Sequence, residues 1–180
     1  MKSVASKSVA YTILVTGPES SGKTTLARQL AWALDGLFVA EAARDYLEFR
    51  GGDYVEADLL QIWQQQAEAE DTARASSASF VVCDTGPEVI RVWAEVKYGR
   101  CPSGVLQACT ERVYDLTLLC APDLPWVPDP LRESPEAKKR QALFDRYMDL
   151  LSSKKLRIIR GEFRLLTAFQ AILDGLKPNT

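Results

Sequence analysis

The sequence predicts an α/β domain built on a mainly parallel sheet, and three observations predict it. Five short apolar or β-branched runs alternate with long segments of helical period, the order that crossover connections produce. The runs are near-continuously hydrophobic, as strands covered on both faces must be. A glycine-rich turn, GPESSGKT, joins the first run to the first helical segment.

Each element follows from its residues. The first strand is expected at Tyr11–Thr16, followed by the turn Gly17 to Thr24 and a helical run from Thr25 to Leu34 that begins near Gly22. A second strand, Leu37–Ala40, leads into EAARDYLEFRGGD. Val55, Leu59, Ile62 and Trp63 recur at helical spacing, and the polar remainder of that helix, Gln64 to Asp71, is expected to face water. The third strand, Phe80–Asp84, precedes a helix opened by Pro87 and carrying the stripe Val89, Val92, Trp93 and Val96. Leu116–Cys120 and Leu156–Arg160 supply the remaining strands. Phe144, Tyr147, Met148 and Leu151, and then Phe169, Ile172, Leu173 and Leu176, are the core-facing stripes of the last two helices. The stretch from Pro122 to Pro135 holds five prolines among charged residues. A loop of that length in a compact domain is read as a functional lid, over about 122–140, with a passive surface excursion as its alternative.

Composition narrows the chemistry. The 180 residues suit a single domain, 1–180, whose core needs neither disulfide nor metal to fold. There is no histidine, so Ser-His-Asp and Cys-His catalysis and histidine-bound zinc are excluded, and any general base is a carboxylate, lysine, tyrosine or water. Cys83, Cys101, Cys109 and Cys120 form no C-x-x-C pair and read as reduced thiols, which fits the cytoplasm. No apolar run reaches membrane-spanning length, and no signal-peptide cleavage site follows Val9 to Thr16. A net charge of −2 argues against nucleic acid as partner and for a small molecule. Nothing in the sequence reports the oligomeric state.

GPESSGKT matches G-x-x-x-x-G-K-[ST] between a strand and a helix, and a chance match arises in only about 3 in 1,000 sequences of this composition. The expected fold is therefore that of P-loop NTPases, of the nucleoside and nucleotide kinase type, with a five-stranded parallel sheet, helices on both faces and a lid. Gly17, Glu19, Ser20, Ser21, Gly22, Lys23, Thr24 and Thr25 are expected to bind ATP. The loop amides converge on the phosphates, Lys23 reaches the β- and γ-phosphates, and the Thr24 hydroxyl ligates Mg2+. Asp84, at the end of the third strand, can face the same metal, or it or Thr85 can cap the helix near Pro87.

Kinases of small molecules also need an acceptor pocket and a charge-stabilising lid. Glu41, Arg44 and Asp45 fall at the carboxyl edge of the sheet, where open α/β sheets bind ligands. Glu41 and Asp45, four apart, are expected on one helix face, able to hold ribose hydroxyls or, for Glu41, to accept a hydroxyl proton; a charged helix start is the alternative. Arg132, and after it Arg140 on the following helix, are expected to close over the transferring phosphoryl group, with Lys138 and Lys139 nearby; a charged helix face is the alternative for Glu136 to Arg140. Trp63 and Trp93 fit core stripes. Tyr98 and Trp126 stand outside the periodic patterns and can stack on a flat ring.

Taken together, GPESSGKTTLA, EAARDYL, CDTGPEVIRVW, KYGRCP and PWVPDPLRES make the chain, from about Tyr11 to Leu176, resemble the NadR-type nicotinamide riboside kinases, as a kinase domain alone. The resemblance implies ATP- and Mg2+-dependent transfer to the 5′-hydroxyl of nicotinamide riboside, with Asp84 as metal or base residue and Arg132 in the lid. Ala40 stands where the family pattern has a tryptophan that stacks on the nicotinamide, and Gly86 where it has an acid. Kinases of other nucleosides or nucleotides, and a non-catalytic ATP-binding regulatory module, remain as alternatives.

Overall fold

The structure, a computed structural model, describes residues 9–130, 132 and 134–177. Lys2 and Lys7 at the N-terminus, and Leu131 and Glu133 within the expected lid, lie outside the described residues. The elements run β1 (Tyr11–Thr16), α1 (Lys23–Ala33), β2 (Leu37–Val39), α2 (Ala42–Phe49), α3 (Glu56–Ala75), β3 (Phe80–Asp84), α4 (Pro87–Tyr98), α5 (Ser103–Glu111), β4 (Leu116–Cys120), α6 (Ala137–Leu151), β5 (Leu156–Ile159) and α7 (Arg164–Leu176). All neighbouring strands are parallel, in the order β2-β3-β1-β4-β5. This is the P-loop kinase fold. β2 and β5 end one residue earlier than expected: Glu41 already serves as the N-cap of α2, and Gly161, at φ 70, turns the chain away after Arg160.

The strands bury both faces, which is why they lack alternation. Ile13 and Val15 of β1 pack with Val82, Leu118 and Ile159 beneath α1 and α7. Leu14, Val81 and Cys83 point the other way, toward Ala73 of α3, and Leu119 meets Val89 and Val92 of α4 and Phe144 of α6. Each fully buried aliphatic side chain here contributes roughly 1.5–3 kcal/mol. The chain leaves β1 toward β2 but leaves β3 toward β4, so a crevice opens at the carboxyl ends of β1 and β3.

One segment corrects the sequence reading. Gln66 and Glu70, expected in solvent, are buried, with Glu70 fully inaccessible. Arg112 Nε donates to Glu70 at 2.9 Å and the Tyr114 hydroxyl at 3.0 Å, while Gln66 Oε1 accepts the Ala42 N–H at 2.8 Å. α3 is thus covered on a polar side by α2 and by the chain entering β4, and matched partners make that burial tolerable.

A second buried carboxyl, Glu88, accepts the Gly86 N–H at 3.2 Å. Burial pushes its pKa up from an ordinary value of 4.5 to about 7. The folded protein therefore holds a proton that the unfolded chain releases, and stability contributed by this group falls as pH rises from about 4.5 to about 7. Glu88→Gln is expected to remove a pH-dependent loss of about 3 kcal/mol across that window, read as a flatter Tm-against-pH curve than that of the wild type.

Candidate active site

The phosphate-binding turn is built by backbone constraint. Gly17 sits at φ 139, and a Cβ there would come 2.5 Å from the Cys120 carbonyl oxygen, so only glycine lets the loop cross the end of β4. Gly22, at φ 76, is the N-cap of α1 and supplies no side-chain cap. The N–H groups of the first turn of α1 are left to an anion, and no acidic residue lies among them. Ser21 Oγ donates to the Pro18 carbonyl at 2.7 Å, and Lys23 Nζ to the same oxygen at 3.1 Å.

In front of this turn lies a cavity of about 240 Å3. Its walls bring together Gly17 to Thr25, Glu41 and Arg44 of the α2 entry, Arg132 of the lid segment, and an apolar end made by Tyr54, Val92, Trp93, Val96 and Tyr147. Among the residues singled out from sequence, Gly17, Glu19, Ser20, Ser21, Gly22, Lys23, Thr24, Thr25, Glu41, Arg44 and Arg132 share this one space.

Asp84 lies beneath it, 1% exposed. Neither carboxylate oxygen has a hydrogen-bond partner among the described residues. The helix at Pro87 takes Gly86 as its N-cap without a side-chain cap, so Asp84 does not cap it. Thr85, at φ 69, donates its N–H to Val15 O at 2.9 Å and fixes the carboxylate against β1. Burial raises the Asp84 pKa, opposed first by Lys23 and then by Thr24, Arg28 and Arg44. Glu41 is also raised by burial; Lys23 and Arg44 lower it while Asp84 raises it. Both carboxylates therefore lie in the field of Lys23.

An orphaned buried carboxylate beside a threonine hydroxyl fits Mg2+, which takes one or two protein oxygens and fills its octahedron with phosphate oxygens and water. Among the described residues no group of three or more His, Cys, Asp or Glu could hold a metal, and a cation held by Asp84 and Thr24 would complete its shell with phosphate oxygens and water.

The lid segment is tied down over the loop. The Ser134 N–H donates to Glu19 at 2.9 Å, the Val127 N–H to Ser20 Oγ at 3.1 Å, and Arg44 pairs with Asp129 at 2.9 Å. Arg132 donates to the Val127 carbonyl and faces the cavity. Arg140 is buried, 4.9 Å from the Trp126 ring centre, and donates to the Ser134 carbonyl at 3.2 Å, which makes it a brace of the lid. Lys138 and Lys139 are exposed, with Lys139 paired to Glu136.

Besides Asp84, three expected residues lie outside the cavity lining. Asp45 is exposed: Glu41 has extended backbone as the N-cap, so the two acids do not share a helical face. Trp126 packs against Arg140 and Arg132 within the lid. Tyr98 donates to the Tyr54 carbonyl at 3.2 Å and meets the Tyr54 ring edge-on, so it props the aromatic wall from behind. That wall is Tyr54 and Trp93, with ring centres 5.8 Å apart and planes at 32°. Trp93 had fitted a core stripe and serves both core and cavity. Tyr54, in a non-periodic GGDYV stretch, carried no signal. Lys97 Nζ sits 3.5 Å from the Tyr54 ring centre.

Comparison with known proteins adds a family. The family model described as AAA domain matches residues 12–161. The chain is 27% identical over 155 residues to the Trifunctional NAD biosynthesis/regulator protein NadR of Escherichia coli (strain K12), a match covering 84% of this chain and 38% of that protein. It thus spans well under half the length of the curated relative. Two solved structures superpose with TM-scores of 0.74: NadR protein in complex with NR, at 22% identity over 96% of this chain and 54% of the other, and NadR protein in complex with NAD and AMP-PNP, at 24% identity over 96% and 52%. At these identities the likeness establishes the fold.

Proposed function

The chain belongs to the AAA domain family, and from that premise we propose that it is an ATP- and Mg2+-dependent kinase of a nucleoside, with the 5′-hydroxyl of nicotinamide riboside as acceptor and nicotinamide mononucleotide as product. The observation that carries the reading is the joining, in one cavity, of a phosphate-binding loop to a carboxylate, two arginines and an aromatic end. A hydrolase needs only a placed water; this cavity has an acceptor half. The NadR relatives, one holding NR and another AMP-PNP, support both halves.

In this reading Lys23 and the α1 amides hold the triphosphate. Mg2+, when bound through Thr24 and Asp84, neutralises charge on the phosphate oxygens. Glu41, on the cavity wall, accepts the proton of the acceptor hydroxyl as its oxygen bonds to the γ-phosphorus and the bridge to the β-phosphate breaks. Arg132 stabilises charge on the phosphoryl group in transit. Tyr54 and Trp93 take the ring-stacking task that Ala40 cannot perform. Four free thiols support a reducing, cytoplasmic setting, and the charge balance supports a small molecule over nucleic acid as partner. Among the described residues no helix is long and apolar enough to cross a membrane.

The test incubates the protein with Mg·ATP and a nucleoside panel including nicotinamide riboside, with Lys23→Ala as contamination control, and identifies products by mass. Nicotinamide mononucleotide from the wild type alone is the expected result; ATP binding with no phosphorylated acceptor would move the protein to the regulatory reading. Two variants probe the ring site. Tyr54→Ala is expected to raise the acceptor KM about tenfold with kcat within about threefold, because it removes stacking without touching the phosphates. Lys97→Met is expected to lower the KM of a cationic pyridinium acceptor by about two- to fivefold and to leave a neutral nucleoside unchanged, since it relieves a like charge at the ring. Steady-state kinetics on both acceptors check this.

A further inference from the structure

The wall of the phosphate-binding cavity holds a buried polar group to which the proposed reaction gives no task, the hydroxyl of Tyr147. Tyr147 stands on α6, one turn beyond Leu143, and both line the cavity. Its ring is held in the cluster of Val89, Val92, Leu119 and Phe144. The residue is 2% exposed, and its hydroxyl forms no hydrogen bond among the described residues. That oxygen is not sealed off as the Asp84 oxygens are, so the accessible sliver of Tyr147 includes the hydroxyl, and the space it meets is the cavity.

Burial, and after it the charges of Glu88, Glu41 and Glu19, raise the Tyr147 pKa well above the ordinary value of 10.0. The group therefore stays a neutral phenol, able both to donate and to accept. Its place along the cavity identifies what it can meet. In the proposed reaction the aromatic end takes the ring, and Glu41 takes the hydroxyl to be phosphorylated. Tyr147 joins the two: it shares its packing with Val92 and Trp93, while its hydroxyl lies in the field of Glu41 and Glu19. Between the ring of a nucleoside and its 5′-hydroxyl lies the ribose. Asp45, the other acid expected to hold ribose hydroxyls, is exposed and off the cavity wall. A buried phenol without a partner and a sugar without its expected acid thus meet in one space, and each supplies what the other lacks.

We propose that Tyr147 is an acceptor-recognition residue whose hydroxyl hydrogen-bonds a secondary hydroxyl of the ribose, making the cavity selective for ribonucleosides over their deoxy counterparts. This rests on the kinase reading and adds the sugar class to it. A deoxy sugar leaves the buried phenol unpaired, and a site built to bond a hydroxyl rejects the ligand that lacks it.

Steady-state kinetics on the wild type and Tyr147→Phe, with nicotinamide riboside and its 2′-deoxy and 3′-deoxy counterparts as acceptors, test it. Equilibrium titration of the same three ligands is run beside them. The wild type is expected to favour the riboside by about tenfold or more in kcat/KM over at least one counterpart. Tyr147→Phe is expected to cut that preference by about fivefold or more, mainly through the KM of the riboside. It is also expected to melt no lower than the wild type, since it removes a hydroxyl that no described residue pairs. An equal loss on all three acceptors, an undiminished ribose preference or a lowered melting temperature would each overturn the assignment and leave the kinase reading standing. If no acceptor is phosphorylated, the kinase reading falls and the titrations still decide Tyr147. A ribose preference in affinity that the variant loses upholds its contact with the sugar; absence of that preference ends it.

Discussion

Lys23→Ala is expected to lower turnover by about two to three orders of magnitude while the protein stays folded. Two facts set this expectation. Lys23 is the first-ranked cation acting on both Glu41 and Asp84, ahead of Arg44, so its loss removes charge from the phosphate site and changes the setting of both carboxylates. Positioned charges at transferring phosphoryl groups act in a water-poor site, where removal of one preorganised donor commonly costs about 10²–10³ in rate. Its structural contribution is small: the side chain makes one hydrogen bond, to the Pro18 carbonyl, while the loop is held by Gly17, Gly22 and the Ser21 bond to the same oxygen. Circular dichroism and thermal melting within a few degrees of the wild type, beside a collapsed kcat, are the expected pair. Near-native turnover in a folded variant would remove the phosphate-binding assignment, and with it the kinase reading.

The division between what the residues announced and what only folding displayed has a physical basis. The sheet was legible because buried parallel strands are apolar along their length, and Tyr11–Thr16, Phe80–Asp84 and Leu116–Cys120 appear at the expected bounds. The phosphate loop was legible because a local backbone shape dictates its glycines. Glu70 and Gln66 were not: a helix period registers apolar stripes, and nothing local reveals that Arg112 and Tyr114, some forty residues away, will meet a carboxylate. The aromatic wall of Tyr54 and Trp93 was hidden for the same reason. Trp93 looks the same from sequence whether its far edge meets core or cavity, and Tyr54 belongs to no pattern. Tyr98 and Trp126 drew attention by standing outside the stripes, yet one supports Tyr54 and the other braces the lid arginines. Aromatic residues off the periodic faces mark unusual local packing, of which a ligand contact is one kind only.

Asp84→Asn is expected to move activity and stability in opposite directions. The wild-type carboxylate is buried with both oxygens unpartnered among the described residues, a costly arrangement in a folded chain. An amide of the same shape carries no charge to desolvate, so the variant without ligands is expected to be more stable at neutral pH by about 1–3 kcal/mol. The pH dependence follows with its sign. Burial raises the Asp84 pKa, so its unfavourable contribution grows as pH rises from the ordinary value of 3.8 through the raised one, and the gap between variant and wild type widens over that range. Activity goes the other way. In the proposed site the variant would withdraw from Mg2+ a protein oxygen beside Thr24, and kcat is expected to fall by about 10²–10⁴ with a weakened response to added Mg2+. The two readouts together separate this role from a structural one, because a residue kept for folding loses stability when replaced. A variant that melts lower than the wild type and retains turnover would show that Asp84 holds the turn at Thr85 and would take the metal away from this position.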